Sequence, residues 1–199
     1  MSPHPFQCRC GKLRGELLRP GISLRAVCYC RDCQAFAHAL GDARRTLDAN
    51  GGTEVVAVQA RYVRFTAGTD ALACLSLTPR GLLRWYSSCC RTPIGNTPRD
   101  LRMPYVGVMH TCLSTTGLDL DASFGPVRMR VNTRHAKGPV PHLGAGQWLA
   151  LLRTGPGLLW DRFSGGWRST PFFDTARGKP VVEPRVLTAA ELAQARKAV

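Results

Sequence analysis

A chain of 199 residues with 44% hydrophobic and 20% charged residues has the balance of a folded globular protein, not of a disordered one, and is long enough to bury a core without disulfides. No apolar run approaches a membrane span, and the amino-terminal "MSPHPFQCRCG" lacks the apolar stretch of a secretion signal, so a cytoplasmic location is expected. Of the 27 basic residues only Lys12, Lys137, Lys179 and Lys197 are lysines, leaving 23 arginines and a net charge of +14. Such charge attracts anions. Its scattered placement, with no run of five, is also what an arginine-rich composition gives by itself, so nucleic acid is the less favoured partner and a small anionic ligand is compatible with either reading.

Taken in chain order, the first 115 or so residues read as mainly β. Short runs rich in Val, Leu, Tyr and Trp at 12–18, 23–29, 54–59, 61–66, 72–77, 82–87 and 105–112 are separated by Gly, Pro, Asp or Asn. "RYVRF" (61–65) and "GLLRWY" (81–86) alternate apolar with basic residues, as half-exposed strands do. "TPRG" (78–81) has the chemistry of a hairpin turn. The texture changes near residue 136, which divides the chain into a β domain over 1–135 and an extension over 136–199. "KGPVPHLGAG" (137–146) reads as a connector, and "QWLALLR" (147–153) as a short helix stopped by "GPG" at 155–157. Trp148, Trp160, Trp167, Phe163, Phe172 and Phe173 are expected to pack on the β domain, and a membrane-surface or partner-docking role is the other reading of them. Thr188 and Glu191 form a capping box that starts a final helix.

The nine cysteines stand at 8, 10, 28, 30, 33, 74, 89, 90 and 112. In a reducing compartment, clustered cysteines favour metal binding or catalysis over disulfides. Residues i and i+2 of a strand share a face, and Cys-x-x-Cys grips one ion across a tight turn. Cys28, Cys30 and Cys33 combine both spacings, and three sulfurs leave a fourth tetrahedral position open to water or a substrate thiol, as catalytic zinc sites do. Cys8 and Cys10 form a second half-site whose partners would be Cys89 and Cys90. Vicinal cysteines in an extended backbone point to opposite faces, so Cys90 is expected to join the pair, with Cys89 pointing elsewhere or reaching the metal only through a turn. Cys74 and Cys112, each alone in an apolar run, read as buried filler.

"CRCG" (8–11), "CYCRDCQ" (28–34) and "CCRTPIGN" (89–96), in that order, resemble the glutathione-dependent formaldehyde-activating enzyme family, which includes centromere-protein-V-like proteins. The likeness spans roughly residues 6–115. It implies an Mss4-like, zinc-binding β fold and one or two zinc ions. In this chain the implied ligands are Cys28, Cys30 and Cys33 for a catalytic zinc and Cys8, Cys10 and Cys90 for a structural one. The implied activity is that of a carbon–sulfur lyase acting on a thiol adduct such as S-hydroxymethylglutathione. The sequence departs from the pattern at three points. Ser87 stands where the family has a cysteine, Arg91 where it has a glycine, and Tyr29 where it has a histidine between the central cysteines. A structural zinc is then three-liganded, completed by Cys89, or absent.

Zinc binds a thiol as its thiolate and acts as Lewis acid and template. Arg31 and Arg91 are candidates to pair with the carboxylates of glutathione, and His38 and His110 to carry protons. The competing class of function is a non-catalytic, zinc-stabilised module that contacts nucleic acid or protein.

Overall fold

The structure is a computed structural model and describes residues 2–141 and 146–199. Its strands are β1 (His4–Gln7), β2 (Arg14–Leu17), β3 (Leu24–Cys28), β4 (Thr53–Gln59), β5 (Val63–Ala67), β6 (Leu72–Ser76), β7 (Leu83–Ser87), β8 (Pro93–Thr97), β9 (Tyr105–Met109), β10 (Met129–Val131), β11 (Phe173–Asp174), β12 (Lys179–Pro180) and β13 (Arg185–Val186). Its α-helices are α1 (Arg31–Ala39), α2 (Ala43–Thr46), α3 (His110–Leu113), α4 (Leu120–Phe124), α5 (Gly146–Ser164) and α6 (Ala189–Lys197). The protein is mainly β. Eight strands form one sheet in the order β10-β3-β4-β9-β8-β7-β6-β13, and β1-β2-β5 form a second. Pairing in the large sheet is antiparallel except at its edges, where β10 runs parallel to β3 and β13 parallel to β6.

The main core lies where Phe6, Leu13 and Leu17 of the small sheet and its turn meet Val56, Val58, Leu83, Trp85 and Ile94 of the large one, and Phe172 from the carboxy-terminal region closes it. Trp85 is fully buried and donates its indole N–H to Thr97 Oγ1 at 3.0 Å. The opposite face of the large sheet carries α1 and α6, packed through Phe36, Leu40, Leu75, Leu77, Leu187 and Ala195. With helices on one face and a second sheet on the other, the middle strands are buried on both sides. "GLLRWY" is therefore not a half-exposed strand: Arg84 is 2% exposed, with its guanidinium carbon 5.2 Å from the Phe36 ring centroid and Nη1 donating to Asn96 Oδ1 at 3.3 Å.

Most strand expectations match observed strands, and the hairpin at 78–81 joins β6 to β7 with Gly81 N–H donating to Thr78 O at 3.0 Å. Several segments differ. The run 105–112 leaves extended conformation after Met109 and continues as α3. β1 and β8 lie outside the expected runs, because Pro5 and the Pro-Ile-Gly-Asn-Thr of β8 are turn-forming residues that the sheets hold extended, Pro5 exposed and the β8 residues buried. The "GPG" at 155–157 does not stop a helix: α5 passes through Pro156 to Ser164. Gly157 serves close packing instead, since a Cβ there would lie 2.2 Å from Gln59 Nε2.

The aromatic residues after 136 divide. Phe172 and Phe173 are buried as expected, whereas Trp160 and Phe163 on α5 are 68% and 82% exposed. Trp167 lies beneath the guanidinium of Arg168, 4.5 Å from its centroid. The Trp148 side chain lies outside the described residues. The final helix α6 begins as expected, with the capping box of Thr188 and Glu191 fully made. No helix among the described residues is long and apolar enough to cross a membrane.

Candidate metal centres and the adjoining cavity

Two groups of cysteines bring their sulfurs within 4.8 Å of one another, Cys8, Cys10, Cys89 and Cys90 in one and Cys28, Cys30 and Cys33 in the other. Both are close enough to hold a metal ion. Cys74 and Cys112 belong to neither; both are buried, and burial raises the Cys74 thiol to about 12.

The four-cysteine group joins two turns. Cys8 follows β1, and its turn is closed by Cys8 N–H donating to Leu13 O at 2.9 Å, with Gly11 in the left-handed region at φ 74°. Cys89 and Cys90 lie in the turn between β7 and β8, closed by Ser87 N–H donating to Thr92 O at 2.9 Å and Arg91 N–H to Ser87 O at 2.8 Å. The backbone between β7 and β8 is therefore not extended, and the opposite-face argument for vicinal cysteines does not apply. The expectation that Cys89 points elsewhere is overturned in favour of the turn geometry. Cys89 Sγ is 3.2 Å from Cys10 Sγ, 3.8 Å from Cys8 Sγ and 3.9 Å from Cys90 Sγ, and Cys8 and Cys10 are 3.5 Å apart. Zinc–sulfur bonds of about 2.3 Å set tetrahedral sulfur–sulfur edges near ~3.8 Å, so this donor set fits zinc. Ser87 supports the site without joining the sulfurs: its Oγ lies 3.3 Å from Cys90 Sγ and accepts from Thr92 N–H at 3.1 Å. Burial raises the Cys90 thiol, but the Ser87 and Thr92 hydroxyls outweigh it and leave the pKa lowered, at about 5.

The three-cysteine group forms where β3 ends and α1 begins. Cys28 is the last residue of β3, Cys30 is the N-cap of α1, and Cys33 sits in its first turn, with Cys33 N–H donating to Cys30 Sγ at 3.3 Å. Parallel pairing of β10 with β3 puts Val131 opposite Cys28, and this register delivers Asn132, whose Nδ2 donates to Cys28 Sγ at 3.4 Å. Gln34 ties the loop down, donating to the carbonyls of Tyr29 at 2.9 Å and His135 at 3.0 Å. Arg84 reaches Cys33 from below, Nη1 to Sγ 3.8 Å. Thiol hydrogen bonds from Cys30 and Cys33 lower the Cys28 pKa, and the same sharing with Cys28 raises Cys30 and Cys33. Three thiolates with a cation behind one of them suit zinc with a fourth position left over.

All three sulfur residues line a cavity of about 430 Å³. Its floor is one face of the large sheet, built by alternation: Leu24, Ala26 and Cys28 of β3, then Val55, Ala57 and Gln59 of β4. Thr154 and Leu158 of α5 cover it. Tyr105 lines it too, and burial raises its phenol to about 12, with the negative character of Cys33 and Cys28 adding to the effect.

Other residues singled out in the sequence lie elsewhere. Arg31 is exposed and does not line this cavity. Arg91 and His38 border a separate cleft with Arg185 and Glu191. His110 faces the backbone, its Nδ1 3.1 Å from Glu54 O. Arg84, Asn96, Asn132 and Tyr105 are instead the polar side chains around the triplet. Asn96 alone stood in one of the cysteine-bearing motifs; the other three reach the site through sheet register, which carries no local signal.

The sequence pattern of a family of unknown function, DUF6151, matches residues 1–183. The chain belongs to this family. No curated protein matches it. A crystal structure of a Rhodobacter sphaeroides protein aligns with 18% sequence identity and a TM-score of 0.44, over 64% of this chain and 99% of that one.

Proposed function

We propose that the protein is a zinc-dependent enzyme of thiol adducts, a carbon–sulfur lyase similar to the glutathione-dependent formaldehyde-activating enzymes, whose type of substrate is S-hydroxymethylglutathione. The observation that carries this reading is the unequal make-up of the two cysteine groups. Four sulfurs gather between two turns, and three gather at a cavity. Four thiolates close a zinc shell, whereas three leave a corner for a ligand. None of the nine cysteines is held in a disulfide, so the clustered sulfurs are available as ligands.

Zinc held by Cys28, Cys30 and Cys33 supplies a Lewis acid and a template that takes sulfur as thiolate. The remaining work falls to side chains of this chain. Asn132 orients Cys28, and Arg84 sets a positive charge behind Cys33 that offsets the charge of three thiolates. Tyr105 stays protonated at neutral pH and presents a hydrogen-bond donor within the cavity for an adduct oxygen. In the lyase direction the carbon–sulfur bond of R–S–CH2–OH breaks and its electron pair stays on sulfur. The hydroxyl oxygen becomes the carbonyl, and its proton passes to the thiolate, giving R–SH and formaldehyde.

The test is metal content by plasma mass spectrometry on tag-free protein, followed by thiol titration of cobalt-substituted protein. The expected result is two zinc ions per chain, one in Cys30→Ser, and a visible spectrum that shifts with added thiol in wild type only. Protein without zinc, or cobalt bands indifferent to every thiol, contradicts the proposal.

A further inference from the structure

The cavity beside Cys28, Cys30 and Cys33 has a lining that the catalytic reading does not require. Leu24, Val55, Met129, Val131 and Leu158 make most of its wall, and Ile22 and Leu82, each 42% exposed, carry the apolar surface out to the rim. Its volume lies within the range of about 300–1,000 Å³ that encloses small organic ligands. The uncharged polar groups among the described residues are few: Asn96, Asn132, Gln59, Thr154 and Tyr105.

Charges are scarcer still. Among the described residues, the charged members of the lining are Arg84 and Asp32. Arg84 is already engaged by Asn96 and Cys33, and Asp32 pairs with Arg196 at 3.1 Å. A peptide thiol such as glutathione carries two carboxylates and an ammonium group, and charges taken from water into an apolar wall need partners that the described residues of this lining do not supply. Arg31 and Arg91, which would have supplied them, are not part of it. The arginine-rich surface and the apolar cavity thus make opposite demands on a ligand, and the residues next to the sulfurs decide what enters.

We infer that the cavity takes a thiol or thiol adduct on an uncharged, apolar body, an aliphatic or aromatic thiol of small-molecule size, in preference to an anionic peptide thiol. The inference rests on the reading that the three-cysteine site takes sulfur. The sulfur sits at the Cys28–Cys30–Cys33 end, and the carbon body runs along the alternating side chains of β3 and β4 beneath Leu158.

The experiment is a series of titrations of the full chain, cobalt-substituted, followed in the visible spectrum at one pH and corrected for each thiol's ionised fraction. The probes are ethanethiol, butanethiol, hexanethiol, benzyl mercaptan, 2-mercaptoethanol and glutathione. Affinity is expected to rise about three- to fourfold with each methylene buried, and benzyl mercaptan is expected to bind at least tenfold tighter than glutathione. Ala57→Phe, which fills the cavity from its floor, is expected to weaken hexanethiol at least fivefold more than 2-mercaptoethanol. Glutathione binding as tightly as hexanethiol, or affinity independent of chain length, overturns the inference while leaving the thiol site intact. Spectra unmoved by any thiol overturn both.

Discussion

Arg84 lies beneath Cys33, its Nη1 3.8 Å from the sulfur, and is almost wholly buried. A cation in that position is costly unless it faces negative charge, and three thiolates around a divalent ion leave one net negative charge. The two groups therefore stabilise each other. Arg84→Met should weaken zinc at the three-cysteine site by about 10- to 100-fold, the usual effect of losing a supporting partner. Competition with a chromophoric chelator measures this, and the four-cysteine site should keep its metal.

Cys89 is the sulfur that links the two turns of the second site, at 3.2 Å from Cys10. Cys89→Ser should lose one zinc and lower Tm by more than ~6 °C, equivalent to roughly 2–3 kcal/mol in a chain of this size. Cys30→Ser should also lose one zinc, and with it the response to thiols. Calorimetry with metal analysis on both variants separates the two sites; equal loss of thiol response in both would merge them.

Arg91 occupies the left-handed region, at φ 57°, on an exposed turn. That conformation costs a residue with a Cβ about 1–2 kcal/mol relative to glycine. Glycine gives part of this back through its freer unfolded chain. Arg91→Gly should leave Tm unchanged or raise it by ~2–4 °C, with zinc content intact. A clear fall in Tm would show that the arginine side chain contributes to the turn.

His4 is buried against Phe124, with Nδ1 2.8 Å from Ser123 Oγ. Burial lowers its pKa below the ordinary value of 6.5. The unfolded chain then takes up a proton at a higher pH than the folded one, so this residue's contribution to stability is present above about pH 6.5 and is lost as the pH falls through it. Urea melts between pH 7.5 and 5.5 should show a shallower decline in His4→Gln than in wild type. Identical slopes would mean that His4 does not titrate on unfolding.

The mainly β character, the capping box of α6 and both cysteine groups were legible in sequence, because strand period, cap chemistry and Cys spacing are local signals. Cys28, Cys30 and Cys33 meet through nothing longer than a strand end and one helical turn. The course of α5 past Pro156 was not legible: helix-breaking residues stand inside it, and the packing of Gly157 on Gln59 exists only in three dimensions. Arg84 misled for a related reason. An arginine between Leu83 and Trp85 reads as solvent-facing until a helix is known to cover that face. The cavity itself assembles from β3, β4, β10 and α5, elements separated by up to a hundred or more positions, so neither its shape nor its apolar lining is written in any one stretch.

The central claim is that Cys28, Cys30 and Cys33 hold one zinc with a corner open to the cavity. An anomalous-difference map recorded from crystals at the zinc edge tests it most directly. Two peaks are expected, one surrounded by the sulfurs of Cys8, Cys10, Cys89 and Cys90, the other by three sulfurs and a lighter atom on the cavity side. A single peak at the four-cysteine site, or a second peak whose fourth ligand is a protein side chain, would contradict it.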